Sequence, residues 1–271
     1  MFRNVALGTH GMSHEGKSRA QTQFGAAADE YASSEIHAHG DSLRVLLELT
    51  HARPDWTVVD VASGAGHTAL TFSPLVARVI ATDVTEAMAR KTAELARARG
   101  FRNIRVSLAD AEQMPLAEQT ADMVTCRLAF HHFPRPTKAI IEFRRVLKPG
   151  GIVGFTDNVT VEDSAAAEYY NAYERLRDPS HYCVYSTAQL RYMFTAAGFR
   201  VEAEHILTRE LEFEEWADRQ RVSQADKDTL IEMMRDLPGS LQSLFAPRWA
   251  NNTMYFSLWE TVFLARRQPR G

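Results

Sequence analysis

Ten consecutive residues, Val58-Val59-Asp60-Val61-Ala62-Ser63-Gly64-Ala65-Gly66-His67, carry the densest chemical signal in this chain of 271 residues. An apolar run that suits a buried strand gives way to small residues and two glycines. Glycine permits positive φ and lets a ligand lie against bare backbone. In open α/β sheets, ligands bind at such turns, outside the carboxyl end of the strand. Two readings compete. Gly64-x-Gly66-x-x-Ala69 fits the dinucleotide fingerprint, with Asp83 as the acidic residue ending the next strand. The other counts Asp60 as part of the motif, giving hydrophobic-hydrophobic-Asp-hydrophobic-x-x-Gly-x-Gly. Asp83 then accepts from both ribose hydroxyls, a task for an anionic bidentate acceptor at a strand end. Downstream, His131 and His132 follow another apolar run, and His181 lies in the turn Asp178-Pro179-Ser180-His181. Each is a candidate general base, with structural packing or solvation as the plain alternative. Arg127 can contact a cofactor or a substrate anion, or anchor a loop.

These residues need elements to hold them. Residues 57–61, 79–83, 104–108, 122–127 and 152–156 are short apolar runs that read as buried strands. Helical segments over 67–72, 86–99 and 139–147 lie between them, with Gly100 placed to end the second. Such alternation argues a parallel sheet covered on both faces. Ahead of the first strand, residues 1–20 are polar and aperiodic, and the Ala-rich stretch 24–40 reads as a helix. Asp41 or Ser42 can cap the next helix, which carries Leu43, Leu46 and Leu47. Beyond Asp157 a Tyr-rich helix spans 163–177, and Ser186-Thr187-Ala188-Gln189 is a capping box for a helix that stops at Gly198. Strands at 200–206 and 254–264 follow, with a mostly helical insertion between them. Arg144, Arg145 and Lys148 end the helix over 139–147, where cations complement the helix dipole.

With Asp60 counted, the Gly-rich segment resembles the opening motif of the class I S-adenosylmethionine-dependent methyltransferases. Asp110-Ala111-Glu112, continuing into Gln113-Met114-Pro115-Leu116, resembles the segment where that family holds the adenine. Leu147-Lys148-Pro149-Gly150-Gly151 looks like its turn into the fifth strand. The resemblance covers residues 24–266 and is nearest to the bacterial branch that includes ubiquinone/menaquinone-biosynthesis-type small-molecule methyltransferases. Segments 126–133 and 175–181 look like signatures of one subgroup. The resemblance implies an α/β fold with a doubly wound, Rossmann-like, seven-stranded sheet, mostly parallel with an antiparallel last strand, plus a helical cap. It implies S-adenosyl-L-methionine as cofactor and S-adenosyl-L-homocysteine as product. The implied cofactor contacts are Asp60, Ala62, Gly64, Gly66, Asp83, Val84, Met88, Asp110, Ala111, Glu112 and Arg127. Tyr31 would fold over them from an N-terminal helix. Ala62 departs from the family's first glycine by one methyl group. The implied organisation is a leader and helical lid over 1–45, a cofactor-binding core over 46–160, and a part over 161–271 that completes the sheet and carries the cap.

The resemblance also narrows the chemistry. A sulfonium methyl is already activated, so proximity and orientation supply most of the rate. A general base matters only if the nucleophile must lose a proton. Relatives acting on nucleobase or glutamine nitrogen carry an Asn/Asp-Pro-Pro-aromatic turn after the fourth strand; this chain has Cys126-Arg127-Leu128-Ala129. With 31 Lys and Arg against 34 Asp and Glu, and no basic stripe, nucleic acid is not an expected partner. Asp157-Asn158 resembles the magnesium-binding pair of catechol-type O-methyltransferases. Those enzymes also need an Asp where this chain has Arg127, so no metal is expected. Cys126 and Cys183 offer neither a disulfide framework nor a zinc site. No apolar run approaches the ~18 residues of a membrane helix, and the N-terminus lacks a signal-peptide core. The expectation is a cytoplasmic enzyme without a membrane partner, with a homodimer left open. Tyr169, Tyr170, Tyr173, Phe213, Trp216, Phe245 and Trp249 suit either plain core or a substrate box. The expected activity is methyl transfer to a small, partly apolar metabolite. A noncatalytic cofactor binder and an NAD(P)-dependent oxidoreductase are the alternatives.

Overall fold

Val58, Val59, Asp60 and Val61 are all buried in the strand Thr57–Val61 (β1), so both of its faces are covered and it belongs inside the sheet. In this computed structural model, which describes residues 19, 21–23 and 40–269, β1 pairs in parallel with Arg78–Asp83 (β2) and Ala121–Arg127 (β4). Ile104–Leu108 (β3) extends the sheet beyond β2, and Leu147–Thr160 (β5) extends it beyond β4, both in parallel. Thr253–Arg267 (β9) lies antiparallel to β5, and Phe199–Glu212 (β7) lies antiparallel to β9. The order is β3-β2-β1-β4-β5-β9-β7, a mostly parallel Rossmann-like sheet in which β9, the C-terminal strand, runs antiparallel to its neighbours. Two short strands, Tyr185–Ser186 (β6) beside β5 and Arg248–Ala250 (β8) beside β9, raise the total among the described residues to nine instead of seven. At two and three residues, they carry no independent periodicity to read.

Helices Asp41–Thr50 (α1), His67–Phe72 (α2), Glu86–Ala98 (α3) and Pro136–Val146 (α4) accompany these strands. One buried cluster joins Phe130, Phe143, Phe155, Phe194 and Phe263; a second joins Leu46, Val58, Phe72, Val79, Ile152 and Val262. Helix α1 differs from expectation at its start. Gly40 is the N-cap and no side chain caps it, so neither Asp41 nor Ser42 has that role. Strand β5 is also longer than the run over 152–156. Strand β9 supplies ladder partners as far as Val159, and this draws Asp157 and Asn158 into the strand. Arg144 and Arg145 act structurally: Arg144 donates to the carbonyls of Gly198 and Gln268, and Arg145 pairs with Glu142 and donates to those of Leu116 and Met114.

The remaining helices are Ser164–Arg177 (α5), Thr187–Ala196 (α6), Phe213–Asp218 (α7), Gln224–Arg235 (α8) and Gly239–Phe245 (α9). Helix α6 opens on the expected Ser186/Gln189 capping box. Helices α5 and α7 to α9 form a cap with its own core. Tyr170, Tyr173, Phe213, Trp216 and Phe245 are buried in that core, and Tyr173 stacks on Trp216 at 5.3 Å between ring centroids. The aromatic spacing therefore built a core, and each such burial contributes about 1.5–3 kcal/mol. Trp249 is half exposed beside Arg235, and the Tyr169 hydroxyl donates to the Met233 carbonyl. No described helix is long and apolar enough to cross a membrane. Of the expected helix over 24–40, residues 24–39, Tyr31 among them, lie outside the described residues.

Candidate active site

The chain leaves β1 toward β2 and β3 on one side, then returns to β4 and β5 on the other. The carboxyl ends of β1 and β4 therefore part, and a crevice opens between the loops that follow them. A cavity of about 140 Å³ occupies it. Ten of the proposed cofactor residues line it: Asp60, Ala62, Gly64, Asp83, Val84, Met88, Asp110, Ala111, Glu112 and Arg127. Gly66 lies one step behind. A Cβ on Gly66 would stand 2.6 Å from Thr92 Cγ2, so glycine is required for this turn to pack on α3. Thr92 Oγ1 in turn donates to the Gly64 carbonyl at 2.7 Å. Ala62 has φ +51°, a conformation that costs a residue with a Cβ about 1–2 kcal/mol and shows why glycine suits the position.

Two carboxylates shape the turn. Asp60 Oδ1 accepts from the Thr125 hydroxyl at 2.7 Å, and Oδ2 accepts from the Ala69 amide at 3.1 Å. This ties β1 to β4 and to the first turn of α2. Burial pushes the Asp60 pKa up to about 7, against the hydrogen bond from Thr125 and the nearby Arg127 charge. Asp83 accepts from the Gly64 amide through Oδ2 and from the Thr85 amide through Oδ1, each at 2.8 Å. Burial raises its pKa as well, with these amide bonds opposing the shift. The Thr85 hydroxyl and the Val84 amide also act on this carboxylate, which lines the cavity. Glu112 lines the cavity, but its carboxylate is committed to Arg135, which donates through its backbone amide at 2.9 Å and through Nε at 2.7 Å. Arg127 Nε donates to the Thr68 hydroxyl at 3.1 Å.

A second, polar cavity of about 80 Å³ adjoins the first, and Leu128 and His132 line both. Leu128 has φ +53°, an uncommon conformation for a bulky residue, at the junction itself. All three candidate histidines line this second chamber. His131 Nδ1 lies 2.5 Å from Asp157 Oδ1, and its backbone amide donates to Oδ2 at 3.0 Å. Burial disfavours a charge on His131, but Asp157 outweighs it and the pKa is raised. His132 Nδ1 faces the Ser180 carbonyl at 3.1 Å and the Ser180 hydroxyl at 3.2 Å. The carbonyl can only accept, and the hydroxyl spends its proton on Asp178, so Nδ1 of His132 carries the hydrogen. Burial, followed by the charge on His131, pushes the His132 pKa down to about 4. His181 is lowered further by burial and the other two rings; its Nε2 lies 2.8 Å from Asn171 Oδ1.

Asp157 Oδ1 also accepts from the Asn158 amide, so both its oxygens serve the His131 loop. Among the described residues, no group of three or more His, Cys, Asp or Glu is placed to hold a metal ion. Several chamber residues carried no motif signal in the sequence: Glu174, Arg209 and Arg219 arrive from α5, β7 and the end of α7. Ser63, Thr68 and Thr85 in the first cavity sit beside recognised positions and could have been read with them. Gln21 Nε2 donates to the Val84 carbonyl at 2.9 Å and Gln23 Nε2 to Gln220 Oε1 at 2.5 Å, so the N-terminal side touches one wall of each cavity.

Residues 59–155 match the family described as Methyltransferase domain. The chain is 33% identical over 199 residues to YcgJ of Bacillus subtilis, an uncharacterized methyltransferase, covering 73% of this chain and 79% of that one. It is 30% identical over 135 residues to the ubiquinone/menaquinone biosynthesis C-methyltransferase UbiE of Idiomarina loihiensis, covering 47% of this chain and 54% of that protein. The crystal structure of BH2331 from Bacillus halodurans C-125 superposes with a TM-score of 0.81 at 32% identity, covering 85% of this chain and all of that one.

Proposed function

Because the chain belongs to the class I S-adenosylmethionine-dependent methyltransferases, we propose that it methylates a small molecule seated in the polar chamber beside His132. S-adenosyl-L-methionine is its methyl donor. When bound, that donor supplies a methyl group already activated on a sulfonium sulfur. The observation that carries the reading is the shared wall. Leu128 and His132 line both the crevice and the chamber, so groups held in the two cavities meet at that junction.

The crevice residues fit the donor. Gly64 has φ +55°, and no atom lies within 4 Å of where its Cβ would be, which leaves bare backbone for a ligand. Ser63 Oγ is buried and has no hydrogen-bond partner among the described residues. Asp83 would take the ribose hydroxyls. Val84 and Met88 would give apolar contact, and the turn Asp110-Ala111-Glu112 would border the adenine. Asp60 and Gly66 would act by holding the turn, and Arg127 by closing the wall near Asp60. Residues 46–160 would thus bind the cofactor and 161–271 cap the substrate, with Tyr31 and the N-terminal segment as lid.

With Nδ1 protonated, His132 presents Nε2 as its basic nitrogen, and its low pKa keeps the ring neutral at neutral pH. Asp157 raises the His131 pKa, and a charge on His131 lowers that of His132. In the transfer, the acceptor's X–H proton passes to His132 Nε2 as the X–CH3 bond forms. The donor, when bound, would keep the electron pair of its S–CH3 bond on sulfur. His181, fixed through Nε2 to Asn171, would shape the wall. The test is transfer of label from methyl-labelled S-adenosylmethionine into a metabolite extract freed of protein and nucleic acid. Label should enter a small molecule, and His132→Gln should lower kcat by about 100-fold or more with S-adenosylhomocysteine affinity unchanged. Full turnover in the folded variant would remove His132 from this role, and label appearing in no small molecule would overturn the reading.

A further inference from the structure

We propose that the methyl acceptor is a small zwitterion, an amino carboxylate whose ammonium is bound by Glu174 and Asn158 and whose carboxylate faces Arg209. This rests on the methyl-transfer reading above and names the substrate class for that site. The chamber's carboxylates differ in what they already hold. Asp178 accepts from the Ser180 amide and hydroxyl through Oδ1 and from Gln220 through Oδ2. Asp157, behind His131, is likewise spent. Glu174 is the exception. Its side chain is 6% exposed and its nearest cation, Arg177 Nη1, stands 3.7 Å from Oε2. Its Oε1 is buried with no hydrogen-bond partner among the described residues.

Arg177 does little to relieve it, because Nε and Nη2 of that guanidinium donate to the Trp216 carbonyl and the group lies over the Trp216 ring at 4.4 Å. Asn158 Oδ1 is a second buried acceptor with no hydrogen-bond partner among the described residues, on the same chamber wall. Buried polar atoms left unsatisfied are costly, so two such acceptors on residues that line one cavity point to a ligand that donates. Burial raises the Glu174 pKa, and a cation arriving beside it would favour the charged carboxylate. The chamber also offers a donor. Arg209 is paired through Nη1 with Glu260 at 2.9 Å, while its buried Nε has no partner among the described residues.

Charge balance separates a zwitterion from a simple ion. Arg177, Arg209 and Arg219, with His131 when it is protonated, are matched by Asp157, Glu174, Asp178 and Glu260, all in or directly behind the wall. A bare anion would gain no net attraction here, nor would a bare cation. A net-neutral molecule carrying both charges can satisfy the open acceptors and the open donor together. The aromatic residues that could have made the chamber apolar are buried in the cap core, and of them only Trp216 reaches this wall.

The test offers the full-length enzyme and S-adenosylmethionine four probe sets: the standard amino acids, simple carboxylates, simple primary amines and uncharged phenols. The readout is S-adenosylhomocysteine formed. Turnover should be confined to amino acids. For the best of them, Glu174→Gln and, separately, Asn158→Ala should raise KM at least tenfold, with S-adenosylhomocysteine affinity by calorimetry unchanged. Comparable kcat/KM with a singly charged or uncharged set overturns the proposal, as does an unchanged KM in either folded variant. Turnover with none of the sets by an enzyme that binds S-adenosylhomocysteine also overturns it. Failure to bind S-adenosylhomocysteine at all counts instead against the assignment of the crevice to this cofactor.

Discussion

Replacing Asp60 with Asn should remove a pH-dependent cost that the native turn carries. The native carboxyl holds its proton up to about pH 7, whereas an unfolded Asp releases it near about 3.9. Between those values the native state binds more protons than the unfolded chain, so stability falls as pH rises, by up to about 1.4 kcal/mol per unit. From pH 5 to pH 8 that amounts to about 2–3 kcal/mol for this group. The magnitude is an upper bound, because removing the carboxylate also removes its attraction to Arg127. Asn fits the hydrogen bonds. Its carbonyl can accept from the Ala69 amide, and its NH2 can donate to the Thr125 hydroxyl, which is free to rotate from donor to acceptor. Urea unfolding of both proteins at pH 5 and pH 8 reads the effect, with similar m-values certifying comparable transitions. The stability of Asp60→Asn relative to wild type should rise between the two pH values. A relative stability that is the same at both would refute the account of Asp60 as a buried, protonated tie.

Gly66→Ala should destabilise the fold by at least about 1–2 kcal/mol and weaken S-adenosylhomocysteine binding, since the new Cβ meets Thr92 at a φ of +87°. Adding Thr92→Ala should recover the steric part and not the backbone part; calorimetry and urea melts of the single and double variants check this. Asp157→Asn should destabilise more at pH 6 than at pH 9. The raised pKa of His131 gives stability that is present when the ring is charged and lost as pH climbs past it. An equal loss at both values would contradict the charged pair.

The core was legible because its signals are local. Strand β1 and helix α2 fall where the apolar run and the Gly64 turn place them, since a fully buried strand followed by a positive-φ turn leaves little freedom. The Ser186/Gln189 box likewise specifies a helix start from four residues. What was not legible depends on distant partners. The length of β5 is set by β9, about a hundred residues later, through hydrogen bonds that no local pattern records. The second chamber is assembled from the loop after β4 and from β5, α5, α7, β7 and β9, so Glu174 and Arg209 carry no spacing relation to His132. The tyrosines and tryptophan at helical spacing could be divided between core and substrate wall only once the cap was seen to pack on itself. Glu112 belongs to a recognisable segment, but its engagement with Arg135 comes from the start of a different helix.

Calorimetric titration of S-adenosylhomocysteine into wild-type and Asp83→Ala protein, with NADH as the control, tests the central claim most directly. The crevice should bind S-adenosylhomocysteine and give no heat with NADH. Loss of a charged acceptor, at roughly 1.5–3 kcal/mol per hydrogen bond and partly replaced by water, should lower affinity at least about tenfold in the folded variant. Binding of NADH without S-adenosylhomocysteine, or full affinity in Asp83→Ala, would contradict the site described.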